Sequence, residues 1–214
     1  MLLENKVALV TGAGSGIGRE TSRVMAREGA AVVVSDVDEQ GGQDTVDLIK
    51  GAGGEATFVR TDVTDEAQVR ALVAAAVQTY GTLDCAHNNA GIGGPLTDLA
   101  SYPLDGFDAV YRVNIRGVLA SMQAAAAHML PLGKGAIVNT ASTFGLVAFP
   151  NAPGYVASKH AVIGLTKAAA IENAARGVRV NAVCPGAIRT AMVQGQAEEA
   201  VATTRGRSTT CSRA

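Results

Sequence analysis

Six short runs rich in β-branched residues, at 6–11, 31–35, 57–60, 83–88, 136–140 and 178–183, alternate with longer, mostly Ala-rich stretches at 18–27, 38–50, 66–79, 104–129 and 155–175. This alternation constrains the fold more than any other feature. A strand that pairs in parallel with its predecessor needs a crossover long enough to hold a helix, so the pattern implies a parallel sheet. Right-handed crossovers place helices on both faces. The expected fold class is therefore α/β: a doubly wound, Rossmann-like parallel sheet of six strands in three α/β/α layers. Ligands of such sheets bind beyond the C-terminal strand ends, where the strand order reverses. No repeat or linker divides the chain, so residues 1–194 are expected to form one domain. Residues 195–214 hold no strand-like run and end rich in Thr, Ser and Arg, and are expected to be an irregular, disordered tail.

A net charge of −1 disfavours nucleic acid as a partner, because phosphate binding calls for a basic surplus. No apolar run approaches the roughly 18 residues of a membrane span, and the start Met1-Leu2-Leu3-Glu4-Asn5-Lys6 is unlike a signal peptide, so no membrane partner and a cytoplasmic location are expected. Cys85, Cys184 and Cys211 are odd in number and widely spaced, which indicates neither disulfides nor a zinc site, and Cys85 and Cys184, in apolar strand-like runs, are expected to be buried, inert thiols. His87, His128 and His160 lack ligand spacing, and no metal is expected.

The first strand-like run leads directly into Thr11-Gly12-Ala13-Gly14-Ser15-Gly16-Ile17-Gly18, and a helical stretch follows. Glycines there let the backbone turn tightly and approach a pyrophosphate, which the free N–H groups and dipole of a helix N-terminus attract. The second run ends at Asp36, 18 residues after Gly18. A carboxylate at that position accepts hydrogen bonds from both ribose hydroxyls of an adenosine and repels a 2′-phosphate. With no base in Val37-Asp38-Glu39, and Ser15 before Gly16, the pattern favours NAD over NADP. The plainer reading makes Asp36 a helix cap, a job for which Asp38 is better placed.

Tyr155 and Lys159 are four residues apart in a helical stretch and share a face. A phenol near pKa 10 is a poor base at neutral pH, and a neighbouring ammonium stabilises the phenolate. Spacing alone is weak evidence, since Tyr–Lys pairs are common on surfaces. Ser142, thirteen residues upstream of Tyr155, follows the fifth strand-like run. Further motifs keep the same order: Asp62-Val63, Asn88-Asn89-Ala90-Gly91, Asn114, and Asn181-Ala182-Val183-Cys184-Pro185-Gly186. Together with the glycine loop, these motifs resemble the short-chain dehydrogenase/reductase family from residue 4 to about 194.

The resemblance implies roles position by position. Ser142 holds the substrate oxygen, Tyr155 transfers the proton, and Lys159 lowers the Tyr155 pKa and binds the nicotinamide ribose. Asn114 anchors a water that links Lys159 to solvent; its plainer role is to close a backbone gap in its helix. Gly12, Ser15, Gly16, Ile17, Gly18 and Asp36 belong to the cofactor site, with Tyr155 and Lys159 at its nicotinamide end. Asp62 and Val63 contact adenine, Asn89 the adenine-side ribose, and Ile188 and Thr190 the nicotinamide carboxamide. It also implies a homo-oligomer, a dimer or a homotetramer. The expected pocket walls, Gly93-Gly94-Pro95-Leu96, Thr143-Phe144-Gly145-Leu146, Phe149-Pro150, Ala187 and Met192, carry no Lys or Arg. They suit a neutral, fairly apolar secondary alcohol or ketone. The resemblance fades after Met192 or Val193, and the family's seventh strand and substrate-covering elements are expected to be missing. That leaves a second reading, a chain that binds NAD without turnover.

Overall fold

The computed structural model describes residues 1–190. The expected segment 195–214 and Met192 lie outside the described residues. The chain alternates β1 (Val7–Thr11), α1 (Gly16–Arg27), β2 (Ala31–Asp36), α2 (Glu39–Gly51), β3 (Glu55–Arg60), α3 (Glu66–Tyr80) and β4 (Cys85–Asn88). It continues with α4 (Leu104–Val110), a π-helical segment (Tyr111–Gly117), α5 (Val118–Met129), β5 (Gly135–Thr140), α6 (Pro153–Asn173) and β6 (Val178–Val183). All strand pairs are parallel, in the order β3-β2-β1-β4-β5-β6.

The strand side chains sort by the two-residue period of a pleated strand. Val7, Leu9 and Val33 join the core beneath α3, α5 and α6, whereas Ala8, Val10, Val32 and Val34 join the core beneath α1 and α2. A strand buried on both faces must be apolar at every position, which explains the unbroken run Val32-Val33-Val34. Cys85 and Cys184, expected to be buried, are half-buried. Burial pushes the Cys85 thiol pKa up. Cys211 lies outside the described residues.

Two element boundaries depart from expectation for a physical reason. β3 begins at Glu55, two residues earlier than its β-branched run, because Glu55 pairs with Ala31 on β2. The long helical stretch from Leu104 is divided by the π-helical segment around Asn114.

The strand order reverses between β1 and β4. Their following loops therefore part to opposite sides, and a crevice opens at their C-terminal ends.

Candidate active site

A groove of about 360 Å³ occupies this crevice. Gly12, Ser15, Gly16, Ile17, Asp36, Asp62, Val63, Asn89, Ser142, Tyr155, Lys159, Ile188 and Thr190 all line it. Gly18 and Asn114 do not line it, but both support residues that do.

At one end lies the glycine loop. Gly12 and Gly16 adopt φ values of +62° and +52°, a region that side chains other than Gly rarely enter. A methyl group on Gly18 would collide with the Gly12 carbonyl, so α1 can start this close to the loop only with glycine there. Ser15 occupies the N-cap position of α1 without its side chain capping the helix, which leaves first-turn N–H groups for an anion. The Gly14 N–H donates to Asp36 Oδ2 (2.8 Å), and the Asp38 N–H donates to Asp36 Oδ1 (3.0 Å). The loop thus fixes the Asp36 carboxylate. Asp38 takes the N-cap position of α2, the place expected of it, although its side chain makes no capping bond.

Arg19 ties this end together. Its guanidinium donates to the Gly14 carbonyl, the Gly41 carbonyl and Thr45 Oγ1, and the Thr45 hydroxyl donates to the Ala13 carbonyl.

The other end is built by β5 and α6. Lys159 is buried, and its Nζ donates to the Thr140 carbonyl (2.8 Å). Nζ lies 5.5 Å from the centroid of the Tyr155 ring, within cation–π range. Burial disfavours the ammonium and lowers its pKa to about 8. Burial also pushes the Tyr155 phenol up from its ordinary value, and the Ser142 hydroxyl beside it acts in the opposite direction. Within this chain burial is the largest influence on the phenol, opposing the lowering expected from Lys159.

Asn114 is completely buried in the π-helical segment. Its Oδ1 accepts from the Ile92 N–H (2.8 Å), and its Nδ2 donates to the Ile92 carbonyl (2.9 Å) and to Ser158 Oγ (3.1 Å). The side chain therefore bridges to the loop after β4 rather than closing a gap in its own helix. Among the residues expected as substrate walls, Phe144 and Phe149 stack with ring centroids 4.8 Å apart. Among the described residues, none of the expected walls lines the groove itself.

Thr140 and His87 carry no motif that marks them in the sequence. Both lie near the C-terminal ends of central strands. Polar residues also lie near the ends of these and the neighbouring strands, at Thr11, Ser35, Asn88 and Asn139, so the available signal is their position at the switch-point ends of the sheet.

A doubly wound sheet with a glycine-lined groove at its switch point defines the Rossmann-like class. Within that class the chain belongs to the short chain dehydrogenase family, which matches residues 6–200. It is therefore read as an oxidoreductase. It is 46% identical over 189 residues to a cyclohexanol dehydrogenase of Acinetobacter sp. (strain SE19), covering 88% of this chain and 75% of that one. It is 43% identical over 202 residues to a cis-4-hydroxycyclohexanecarboxylate dehydrogenase of Sinomonas cyclohexanicum, covering 94% and 81%. Among solved structures, a short chain dehydrogenase/reductase from Burkholderia phymatum in complex with NAD superimposes with a TM-score of 0.86 at 38% identity, covering 90% and 69%. No described helix is long and apolar enough to cross a membrane.

Proposed function

We propose that the chain is an NAD-dependent oxidoreductase that interconverts a neutral, fairly apolar secondary alcohol and its ketone, with Tyr155 as the acid/base. The observation that carries this reading is the convergence of Tyr155, buried Lys159 and Ser142 at one end of a groove whose other end is a glycine loop. The groove suits the dinucleotide. Gly16 lacks the Cβ that would crowd Thr190, the first turn of α1 offers N–H groups to a pyrophosphate, and Asp36 is held ready for the ribose hydroxyls. When bound, NAD supplies the hydride acceptor.

The chain's own residues manage the proton and the geometry. Ser142 Oγ donates to the substrate oxygen and holds it against the Tyr155 phenol. Tyr155 takes the hydroxyl proton during oxidation and returns it during reduction. Its phenol resists ionisation because it is part-buried, so the neighbouring Lys159 ammonium serves as electrostatic support for the phenolate. The Thr140 carbonyl fixes that ammonium. The names of the two enzymes from Acinetobacter and Sinomonas support an alicyclic substrate, since both act on a six-membered ring bearing a hydroxyl.

Replacing Tyr155 by Phe removes the one group that handles the proton. Turnover of a cyclic secondary alcohol is expected to fall by at least about 100-fold, the low end of general acid–base contributions. NADH affinity, read by fluorescence titration, is expected to stay within about twofold because no hydrogen bond to the dinucleotide is needed from the phenol. Turnover of the variant within tenfold of wild type, in the same assay, contradicts the assignment.

A further inference from the structure

His87 is a buried titratable group that the proposed reaction does not use. It lies on β4 between Val10 of β1 and Val138 of β5, and only 4% of its surface is exposed. Its Nε2 lies 2.8 Å from Thr140 Oγ1, and its Nδ1 is buried with no hydrogen-bond partner among the described residues. These two facts select a tautomer. A proton on Nδ1 would leave a buried donor unsatisfied, whereas a proton on Nε2 has Thr140 Oγ1 as its acceptor. Burial also lowers the His87 pKa to about 4, so the ring is neutral at physiological pH.

The tautomer decides where the Thr140 proton goes. Thr140 Oγ1 lies within hydrogen-bonding distance of both His87 Nε2 and Asn89 Oδ1, the latter at 3.1 Å. If His87 donates, the single hydroxyl proton of Thr140 is free for Asn89 Oδ1. Asn89 is then oriented with its Nδ2 toward the carbonyls of Thr11 (3.1 Å) and Gly12 (3.0 Å). Its amide sits where a methyl group on Gly18 would come within 2.7 Å, so it has little room to turn. The main-chain carbonyl of the same Thr140 holds Lys159. One residue therefore joins both ends of the groove.

We propose that His87 is a positioning residue: as the neutral Nε2–H tautomer it donates to Thr140, directs the Thr140 proton to Asn89, and so sets the amide that ties β4 to the glycine loop. The proposal rests on the dinucleotide-binding reading for its effect on affinity, but not for the hydrogen-bond chain itself. Gln reaches with an N–H donor to about where His Nε2 lies, whereas Leu fills a similar volume without a donor and so removes the bond that anchors the Thr140 hydroxyl and fixes its rotation toward Asn89. His87→Gln is therefore the rescuing variant and His87→Leu the disabling one.

The test uses the full chain. Long-range proton–nitrogen NMR reads the His87 tautomer in the wild type, and side-chain amide spectra read Asn89 in all three proteins. Fluorescence titration with NADH reads affinity. The expected results are an Nε2–H tautomer, a shifted Asn89 amide signal in His87→Leu but not in His87→Gln, and an NADH Kd raised about tenfold in the former and within about twofold of wild type in the latter. An Nδ1–H tautomer overturns the proposal. So does an equal response of the two variants, whether both keep wild-type affinity or both lose it. If the wild type itself binds no NADH, the dinucleotide reading fails, while the tautomer and the Asn89 signal still judge His87.

Discussion

At the scale of the residue, Lys159 is the most costly group in the site. Its ammonium is buried, is hydrogen-bonded to one main-chain carbonyl and faces an aromatic ring. Removing a charge from water without a counter-ion disfavours folding, and the lowered pKa expresses that cost. The direction of the linkage follows. With a folded-state pKa near 8 and an ordinary value of 10.5, the unfolded chain binds more protons between those limits. The contribution of Lys159 to stability is thus fully present above the ordinary value and is lost as pH falls through the folded one. Replacing Lys159 by Met removes this dependence. The stability of wild type relative to Lys159→Met, from urea unfolding between pH about 7 and about 10, is expected to rise with pH. A difference that stays flat across this range contradicts the burial argument. The sequence offered the four-residue spacing of Tyr155 and Lys159, which fixes a shared helix face. It could not show that α6 presses that face onto the end of β5, because the depth of a helical residue depends on elements remote in sequence. For the same reason the opposing influences of burial and Ser142 on Tyr155 became visible only in three dimensions.

At the scale of the element, the segment from Leu104 to Met129 is the informative case. Its composition reads as one helix, and it is helical throughout, but Tyr111–Gly117 follows a π-helical path. One extra residue in a turn leaves apolar content and propensity unchanged, so periodicity carries no trace of it. Such turns recur at functional sites. Here the turn carries Asn114, whose side chain satisfies both the N–H and the carbonyl of Ile92, a groove-lining residue. Asn114→Ala leaves both Ile92 groups without their partner. Ile92 is itself exposed and both bonds are only part-buried, so water replaces part of what is lost, and a loss of about 1 kcal/mol, the net worth of an ordinary hydrogen bond, is expected from chemical denaturation. Because Ile92 lies in the loop after β4 and the glycine loop is untouched, kcat/KM for the alcohol should fall more than NADH affinity does. A variant with wild-type stability and wild-type kcat/KM would show that the bridge to Ile92 is dispensable. The strands were more legible. A run such as Val32-Val33-Val34 has few alternatives to a strand buried on both faces, and only the ends moved, where pairing with a neighbour rather than composition sets the boundary.

At the scale of the whole molecule, the strand order supplies the place and the loops supply the selectivity. The crevice between β1 and β4 follows from topology, and every residue expected for the cofactor site except Gly18 lines it. The substrate side was less legible, because loops carry no period and their packing follows local contacts. The expected wall residues that are described lie outside the groove lining, with Phe144 and Phe149 stacked on each other and Leu146 and Phe149 exposed. Charge still discriminates between substrates. Thr143, Phe144, Leu146 and Phe149, the side chains after Ser142, include no cation that could pair with a carboxylate. A carboxylate desolvated without a partner is strongly disfavoured, whereas the ring of a neutral alcohol gains from the same apolar surroundings. The chain is therefore expected to favour cyclohexanol over cis-4-hydroxycyclohexanecarboxylate by at least about tenfold in kcat/KM, a modest fraction of the usual penalty for an unpaired charge. NADH formation with the two alcohols at matched concentrations measures the ratio. A preference for the carboxylate would overturn the neutral assignment and point to Arg189, exposed between Ile188 and Thr190, as the group that receives it. NADH binding without turnover of either alcohol, or of other secondary alcohols, would instead favour a chain that binds the dinucleotide alone.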